Sequence, residues 1–429
     1  MQWNRDGFLT PAGPEEWLAR SSANFTRQCP FSPASPNEDR IAAERFGDAG
    51  VVDPKVGRFV AAYVGHVAEQ ERRAEGSSGG LVSWVAAELL RTGAVDGVAH
   101  VKPADPDREG RLFVYGISRT EDEVRAGAKS RYYPIELSQV LREIRRVPGR
   151  YAIVGVPCFI KAVHLLRRLD PIVAERVTHT LGLFCGHMKS AHMVESFAWQ
   201  LGTEIGNVRA LDYRSKDHGR PANWYRAKLG LRNGESTAGD WWNFADGDWG
   251  AGFLQNPACD YCDDVVAETA DIAFGDAWVE PHASDGRGTN VVVVRTPELA
   301  KMLDQAVADG RLELNPVGAD FIVETQAAGF RHRREGLAWR LARKRRRGVD
   351  PLKRVAASAN LPLRRHLIYR MRRGITRWSH PMMRVARALH APFLYTCWAR
   401  GVLRLYQAVA WSRGGLGRFF DRVLPQSPR

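Results

Sequence analysis

Two cysteines form a CxxC pair, Cys259 and Cys262, inside the stretch NPACDYCDDVVAETADIAFGDAW (Asn256–Trp278). Two more each close a short apolar run, Cys158 in AIVGVPC and Cys185 in LGLFC. Thiolates take soft or borderline metals, and sets of four hold zinc or iron–sulfur clusters. The spacing is 27 residues from Cys158 to Cys185 and 74 more to Cys259. Structural zinc usually pairs two short knuckles. Single cysteines at strand ends suit a cluster built into an α/β core better. Zinc, or thiols that share no metal, stand as the alternatives, because buried cysteine is often plain packing. No βαβ unit surrounds the CxxC, which argues against a thioredoxin-type motif. Cys29, directly before Pro30, reads as a structural leftover rather than a ligand.

A second kind of chemistry lies in Gly76-Ser77-Ser78-Gly79-Gly80, followed by LVSWVAAELLRTG. Leu81, Val82, Val85, Ala86, Leu89 and Leu90 recur at helical spacing, and Gly93 stops the helix. A Gly/Ser loop that opens a helix offers free amides to a phosphate, and glycines let the ligand come close. The bland reading is a tight turn and a cap, since the loop is neither a Walker loop nor GxGxxG. Downstream, AGAKSRYYP gathers Lys129, Arg131, Tyr132 and Tyr133. Cations there could hold phosphate and a tyrosine could stack on a flat heterocycle; a solvated basic turn is the plain alternative.

These residues need a scaffold. Strands are predicted over Asp96–Val101, Arg111–Gly116, Tyr151–Val156, Val177–Phe184, Val208–Arg214, Trp224–Leu231, Val291–Val294 and Leu312–Val317. Helices are predicted over Leu137–Val147, Phe159–Arg168, from about Ala191, and over Glu298–Ala308. Cys158 and Cys185 then sit at strand-to-helix turns, where α/β proteins place ligand groups. The fold class is α/β: a largely parallel mixed sheet with flanking helices and a basic helical C-terminal extension. Val291–Val294, almost without polar atoms, should be central and covered on both faces. Three segments are expected: an irregular 1–50 punctuated by proline, a body over 51–330, and a tail over 331–429.

Composition adds a charge asymmetry. From Arg331 to Arg429 there are 25 Lys and Arg against 3 Asp and Glu, a net +22, which leaves −8 for residues 1–330. Such a split points to an anionic membrane, nucleic acid or an acidic partner. Short tail helices are expected, broken at Gly348, Pro362, Gly374, Pro381 and Pro392. In the last, Trp398, Val402, Leu405 and Val409 share a stripe, with Arg400, Arg404 and Gln407 nearly opposite. That is an interfacial membrane pattern, or equally a helix packed on the body with its arginines in water. Six cysteines are too few for a disulfide framework. The start MQWNRDGFLTP lacks a signal pattern, so the expected location is the cytoplasm, with peripheral contact at the inner face of the membrane.

Several segments together resemble the family of the coenzyme F420-reducing hydrogenase beta subunit, which includes F420-dependent dehydrogenase subunits and plant 7-hydroxymethyl chlorophyll a reductase. They are EGSSGGLVSWVAAELLRTGAVDGV, AKSRYYP, VGVPCFIKAV, LGLFCGH, DYRSKD and NPACDYCDDVVAETADIAFGDAW, in family order across roughly residues 7–330. The resemblance implies an FAD and [4Fe–4S] oxidoreductase. It implies that Cys158, Cys185, Cys259 and Cys262 bind one cluster, and that Gly76, Ser77, Ser78, Gly79, Gly80 and Lys129 bind FAD. Tyr132 and Asp276 are further flavin candidates; Asp276 would hold a flavin hydroxyl or cap a turn. Lys129 would stabilise the reduced, anionic flavin. His187, beside Cys185, is expected to pack rather than to donate a proton. Coenzyme F420 is one candidate substrate.

Many relatives begin with a ferredoxin-like segment. Here RDGFLTP resembles its end, and Cys29 of QCPF is what is left of its cysteines. The expectation is a separate ferredoxin-type carrier as partner. Similar chains are linked to surface-polysaccharide pathways, which makes such a role an expectation of the resemblance. The competing reading is a non-enzymatic, zinc-stabilised scaffold whose tail binds membrane or RNA; Tyr369, Trp378 and Trp398 interleave its arginines. Within the enzyme reading the tail is assigned to an anionic membrane surface, and nucleic acid is disfavoured.

Overall fold

The computed structural model describes residues 1–47, 50–69, 72–348 and 353–424. Eleven strands carry the body: β1 (Ala61–Val67), β2 (Gly97–Pro103), β3 (Phe113–Ser118), β4 (Tyr151–Gly155), β5 (Val177–Leu183), β6 (Val208–Asp212), β7 (Arg226–Leu231), β8 (Ser236–Asp240), β9 (Ile272–Asp276), β10 (Asn290–Val294) and β11 (Leu312–Pro316). Eight build one mixed sheet in the order β11-β1-β10-β9-β5-β4-β2-β3. The pairs β9–β5, β5–β4 and β4–β2 are parallel, and the remaining neighbours are antiparallel. Five strands, β1, β9, β5, β4 and β2, therefore run the same way, and their C-terminal ends share one edge. As expected, β10 is central and every residue in it is buried. The strands β6, β7 and β8 form a separate antiparallel sheet.

Helices cover both faces of the large sheet. On one, Leu81, Trp84, Val85 and Leu89 of α1 (Leu81–Arg91) pack with Val98, Leu181, Phe274 and Val292. On the other, Ile160 and Val163 of α2 (Pro157–Arg167) pack with Ile153, Val177 and Ala273. The helix predicted from Phe159 starts at Pro157, because proline suits a first helical turn. Cys158 is therefore inside that turn rather than ahead of it.

The tail departs from the sequence reading. Its helices are α3 (Ala327–Arg333), α4 (Glu335–Arg345), α5 (Leu363–Ala388), α6 (Pro392–Trp411) and α7 (Gly414–Val423). Gly374 and Pro381 do not break α5, which is 26 residues long. Proline deprives Arg377 of a hydrogen bond to its carbonyl, but Arg377 is exposed, so water can satisfy that group. Burial of Ile368, Ile375, Met383 and Ala386 holds the helix on both sides of the interruption. In α6 the buried face is Tyr395, Ala399, Leu403, Tyr406 and Val409, packed into the core around Trp241 and Phe253. Of the predicted interfacial stripe, Val409 is buried, Trp398 and Val402 are half-buried, and only Leu405 is exposed. That helix is a packed element of the body. Residues 349–352 and 425–429 of the tail lie outside the described residues.

The tail also clamps the segment leading into the CxxC. The Thr376 hydroxyl donates to the Gly252 carbonyl at 3.0 Å, and the Leu254 amide donates to Ser379 at 3.0 Å. Tyr395 donates to Asp246 at 2.9 Å and Tyr406 to the Gly250 carbonyl at 3.0 Å. Inward-facing arginines meet acids of the body. Arg354 pairs with Glu268 at 2.6 Å and Asp263 at 3.1 Å, and Arg340 donates to the Asp260 carbonyl at 2.7 Å. Part of the charge asymmetry is thus resolved within one chain. No helix among the described residues is long and apolar enough to cross a membrane.

Candidate functional site

The cysteine segments leave the same sheet edge. Adjacent parallel strands β4 and β5 end just before Cys158 and Cys185. The backbone of Cys185 is tied to the CxxC loop, its amide donating to the Val265 carbonyl at 3.0 Å. Cys259 sulfur accepts the Met188 amide at 3.3 Å, which joins the CxxC to the turn after Cys185. Cys262 is buried; Cys158, Cys185 and Cys259 are half-buried, and all four are free thiols. Burial raises each thiol. The other three sulfurs push Cys158 further up, and Cys185 reaches about 12 and Cys262 about 11. All four side chains therefore sit within electrostatic reach of one another. Among the described residues, however, no three His, Cys, Asp or Glu side chains close around a single ion. Zinc needs sulfurs about 2.3 Å from one point. A cubane spreads its ligands over four corner irons, so its sulfurs need not meet at one point.

A residue missed in the sequence sits among these sulfurs. Arg333, at the end of α3, is 1% exposed. It donates to the carbonyls of Gly186 at 2.6 Å and Cys185 at 3.0 Å, with the Cys185 sulfur 3.8 Å away. Burial works against its charge, but the sulfurs of Cys262, Cys185, Cys259 and Cys158 outweigh it and raise the guanidinium. Its Nε and Nη1 have no hydrogen-bond partner among the described residues. An anionic centre held by the four cysteines would give this cation its counter-charge. In sequence Arg333 is one of many arginines in the basic tail, and nothing local singles it out.

The Gly/Ser loop follows β1 at the same edge. Gly80 has φ +85°, and a Cβ there would lie 2.8 Å from the Arg72 carbonyl oxygen. The loop is pinned by side chains: Ser78 donates to the Thr289 carbonyl at 2.9 Å, and Ser77 accepts the Ser130 amide at 2.8 Å. The amides of Ser77, Ser78, Gly79 and Gly80 have no partner among the described residues. Four unpaired donors near a helix start are the groups an anion would take. Cations crowd the loop. Lys216 donates to the Ser78 carbonyl at 2.8 Å, and its ammonium is pushed down to about 7 by burial and by Lys129, Arg214 and Arg73. Lys129 pairs with Asp212 at 3.3 Å and holds a strained φ of +100°. A cavity of about 590 Å³ opens beside Lys216, bordered by His218, Arg226 and Lys228. These donors fit a nucleotide diphosphate. Lys216 and Arg214 lie in DYRSKD, a segment that carried the resemblance without being singled out residue by residue.

A run of ring contacts starts at His187, two residues after Cys185. His187 stacks on Trp249 at 4.3 Å and 17°, and Trp249 meets Tyr132 at 4.7 Å. The close approach requires Gly186, where a Cβ would sit 2.6 Å from the Trp249 indole nitrogen. His187 packs as expected, and burial holds it neutral. Tyr132 is edge-on to Tyr213 and Trp241, so its ring is already enclosed by aromatics. Asp276, at the end of β9, gives both carboxylate oxygens to Arg214, at 2.9 and 3.1 Å. Arg214 in turn lies over Tyr225 and Trp278. The sulfurs that act most on Cys158 are those of Cys262, Cys185 and Cys259, while Cys29 is half-buried and Cys397 exposed.

Two stretches of the chain match the family described as coenzyme F420 hydrogenase/dehydrogenase, beta subunit. Residues 62–142 match its N-terminal part and residues 149–320 its C-terminal part. No curated protein matches the chain. A chain in a structure of the F420-reducing [NiFe] hydrogenase complex from Methanosarcina barkeri has a similar fold, with a TM-score of 0.52 and 20% identity. The similarity covers 71% of this chain and 98% of that one. Both halves of the family pattern are thus present in order, and the cysteines and the Gly/Ser loop lie inside them. The chain belongs to the coenzyme F420 hydrogenase/dehydrogenase beta subunit family.

Proposed function

We propose that this protein is an iron–sulfur flavoprotein oxidoreductase, with a [4Fe–4S] cluster on Cys158, Cys185, Cys259 and Cys262 and FAD on the Gly76–Gly80 loop. The observation that carries it is the placement of four thiols around buried Arg333 and of a four-amide cradle at the same sheet edge. When bound, the cluster supplies single electrons and the flavin converts them to hydride chemistry. The chain's own part is to hold and shield. Arg333 offsets negative charge at the sulfurs. Lys129 and Lys216 offset it at the cradle, and Arg214 keeps Asp276 engaged. Coenzyme F420 or another flat organic acceptor is the substrate class, and a ferredoxin-type protein is the proposed electron partner.

Anaerobic purification with metal and flavin analysis tests the reading. About four iron atoms and one flavin per chain are expected, as one cubane requires. A colourless protein with a single zinc would overturn it, in favour of the scaffold alternative.

Lys216 gives the site a pH signature. Its ammonium is depressed to about 7 without an anion, and a bound diphosphate raises it. Flavin affinity should therefore be level below that pH and weaken above it, by up to about tenfold per pH unit. Lys216→Met should flatten the profile. Flavin retention on ultrafiltration across pH checks this, and an unchanged slope in the variant would count against the assignment.

A further inference from the structure

Arg354 and Arg365 of the tail have acidic partners, but a second group does not. Arg343 of α4 and Arg370, Arg373 and Arg377 of α5 border a cleft of about 260 Å³, with Arg347 at its rim. Among the described residues none of the five has an ion pair. Burial and the charges of Arg373, Arg370 and Arg347 depress the Arg343 guanidinium. Its Nε is buried without a hydrogen-bond partner among the described residues. Like charges held this close, with an unsatisfied donor among them, leave room for an anion.

What surrounds the cleft narrows the choice of anion. Trp378 closes one side and is 57% exposed. Val385 on the outer face of α5 and Leu389 at its C-terminal cap continue the stripe, at i+7 and i+11 from Trp378, and are 45% and 64% exposed. Phe393, at the start of α6, is 62% exposed. A soluble phosphate has no use for an apolar ridge running away from its site. RNA would need aromatics spaced to stack successive bases, whereas on this ridge the aliphatic Val385 and Leu389 stand between Trp378 and Phe393. Arginines at headgroup level, with a tryptophan at the boundary and aliphatic residues beyond, match the interface of a bilayer.

We propose that this face of α4 and α5 docks the protein on an anionic lipid surface, with a headgroup phosphate in the arginine cleft and Trp378, Val385, Leu389 and Phe393 in the acyl boundary. The α6 stripe read from the sequence is not the docking element, since it is packed on the core. Docking is independent of the cofactors.

Flotation of the purified full-length protein with vesicles tests it, using phosphatidylglycerol mixed into phosphatidylcholine against phosphatidylcholine alone. Binding is expected only to the anionic vesicles. Arg373→Glu with Arg377→Glu should weaken it by on the order of 1000-fold, because each reversal removes one favourable charge and adds an unfavourable one. Leu389→Ser with Phe393→Ser should lower the part of the binding that survives high salt. Unaltered circular dichroism and iron content serve as the folding controls. Equal binding to neutral vesicles, full binding by the charge reversals, or capture of single-stranded RNA without capture of vesicles would each overturn the proposal.

Discussion

Cys262→Ala should purify with less than roughly a tenth of the iron of the parent protein, while Cys29→Ala and Cys397→Ala keep all of it. Cys262 is the buried member of the set and caps the short helical turn Pro257–Tyr261 that carries Cys259. Removing it takes one corner from the proposed cluster and opens the rest to water. The loss extends to stability, since the binding free energy of a metal centre is also folding free energy. Arg333, Asp263 and the CxxC turn would be left facing one another without the group that organises them. The parent melting temperature should fall toward that of the variant when iron is removed by a chelator. Iron analysis with melting curves on the three variants is the measurement. Equal iron in all three would remove the four-cysteine assignment.

Gly80→Val should release the flavin and spare the iron. The residue sits at φ +85°, which a β-branched side chain strongly disfavours. Its Cβ would lie 2.8 Å from the Arg72 carbonyl oxygen, and 3.2 Å from the carbonyl carbon, so a backbone and not a flexible side chain must yield. The local cost is about 1–3 kcal/mol, too little to unfold a domain of this size. The cradle would nevertheless change shape, and at least a ~100-fold loss in flavin affinity is expected when a phosphate site loses its aligned amides. Flavin and iron contents measured on one sample separate the two half-sites. Retention of flavin at the parent level would show that the loop does not hold it.

The elements of the core were largely legible along the chain. Tyr151–Val156 and Val177–Phe184 read as strands because apolar runs bounded by Gly and Pro are local signals, and β4 and β5 lie there. The Gly/Ser loop announced its helix in the same way. The cysteines at the strand ends followed once the strands were placed. Arg333 and Lys216 did not follow, because their significance is a distance to residues far away in the sequence. Among the described tail arginines it is Arg333 that lies beside Cys185, some 148 positions upstream. The unbroken α5 was also hidden: glycine and proline predict interruption from local cost alone, and burial on both sides of Pro381 exceeds that cost.

Sequence by itself determined the chemical inventory: four thiols at strand and loop ends, a glycine-rich helix start, an acidic body and a tail of net +22. Tertiary structure decided how that inventory is paired. It turned Arg333, Arg340 and Arg354 inward onto the cysteine segments and left Arg370, Arg373 and Arg377 around an open cleft. Composition counts charges, but only packing sets which of them lie within a few ångströms of a counter-charge, and Coulomb energy depends on that separation.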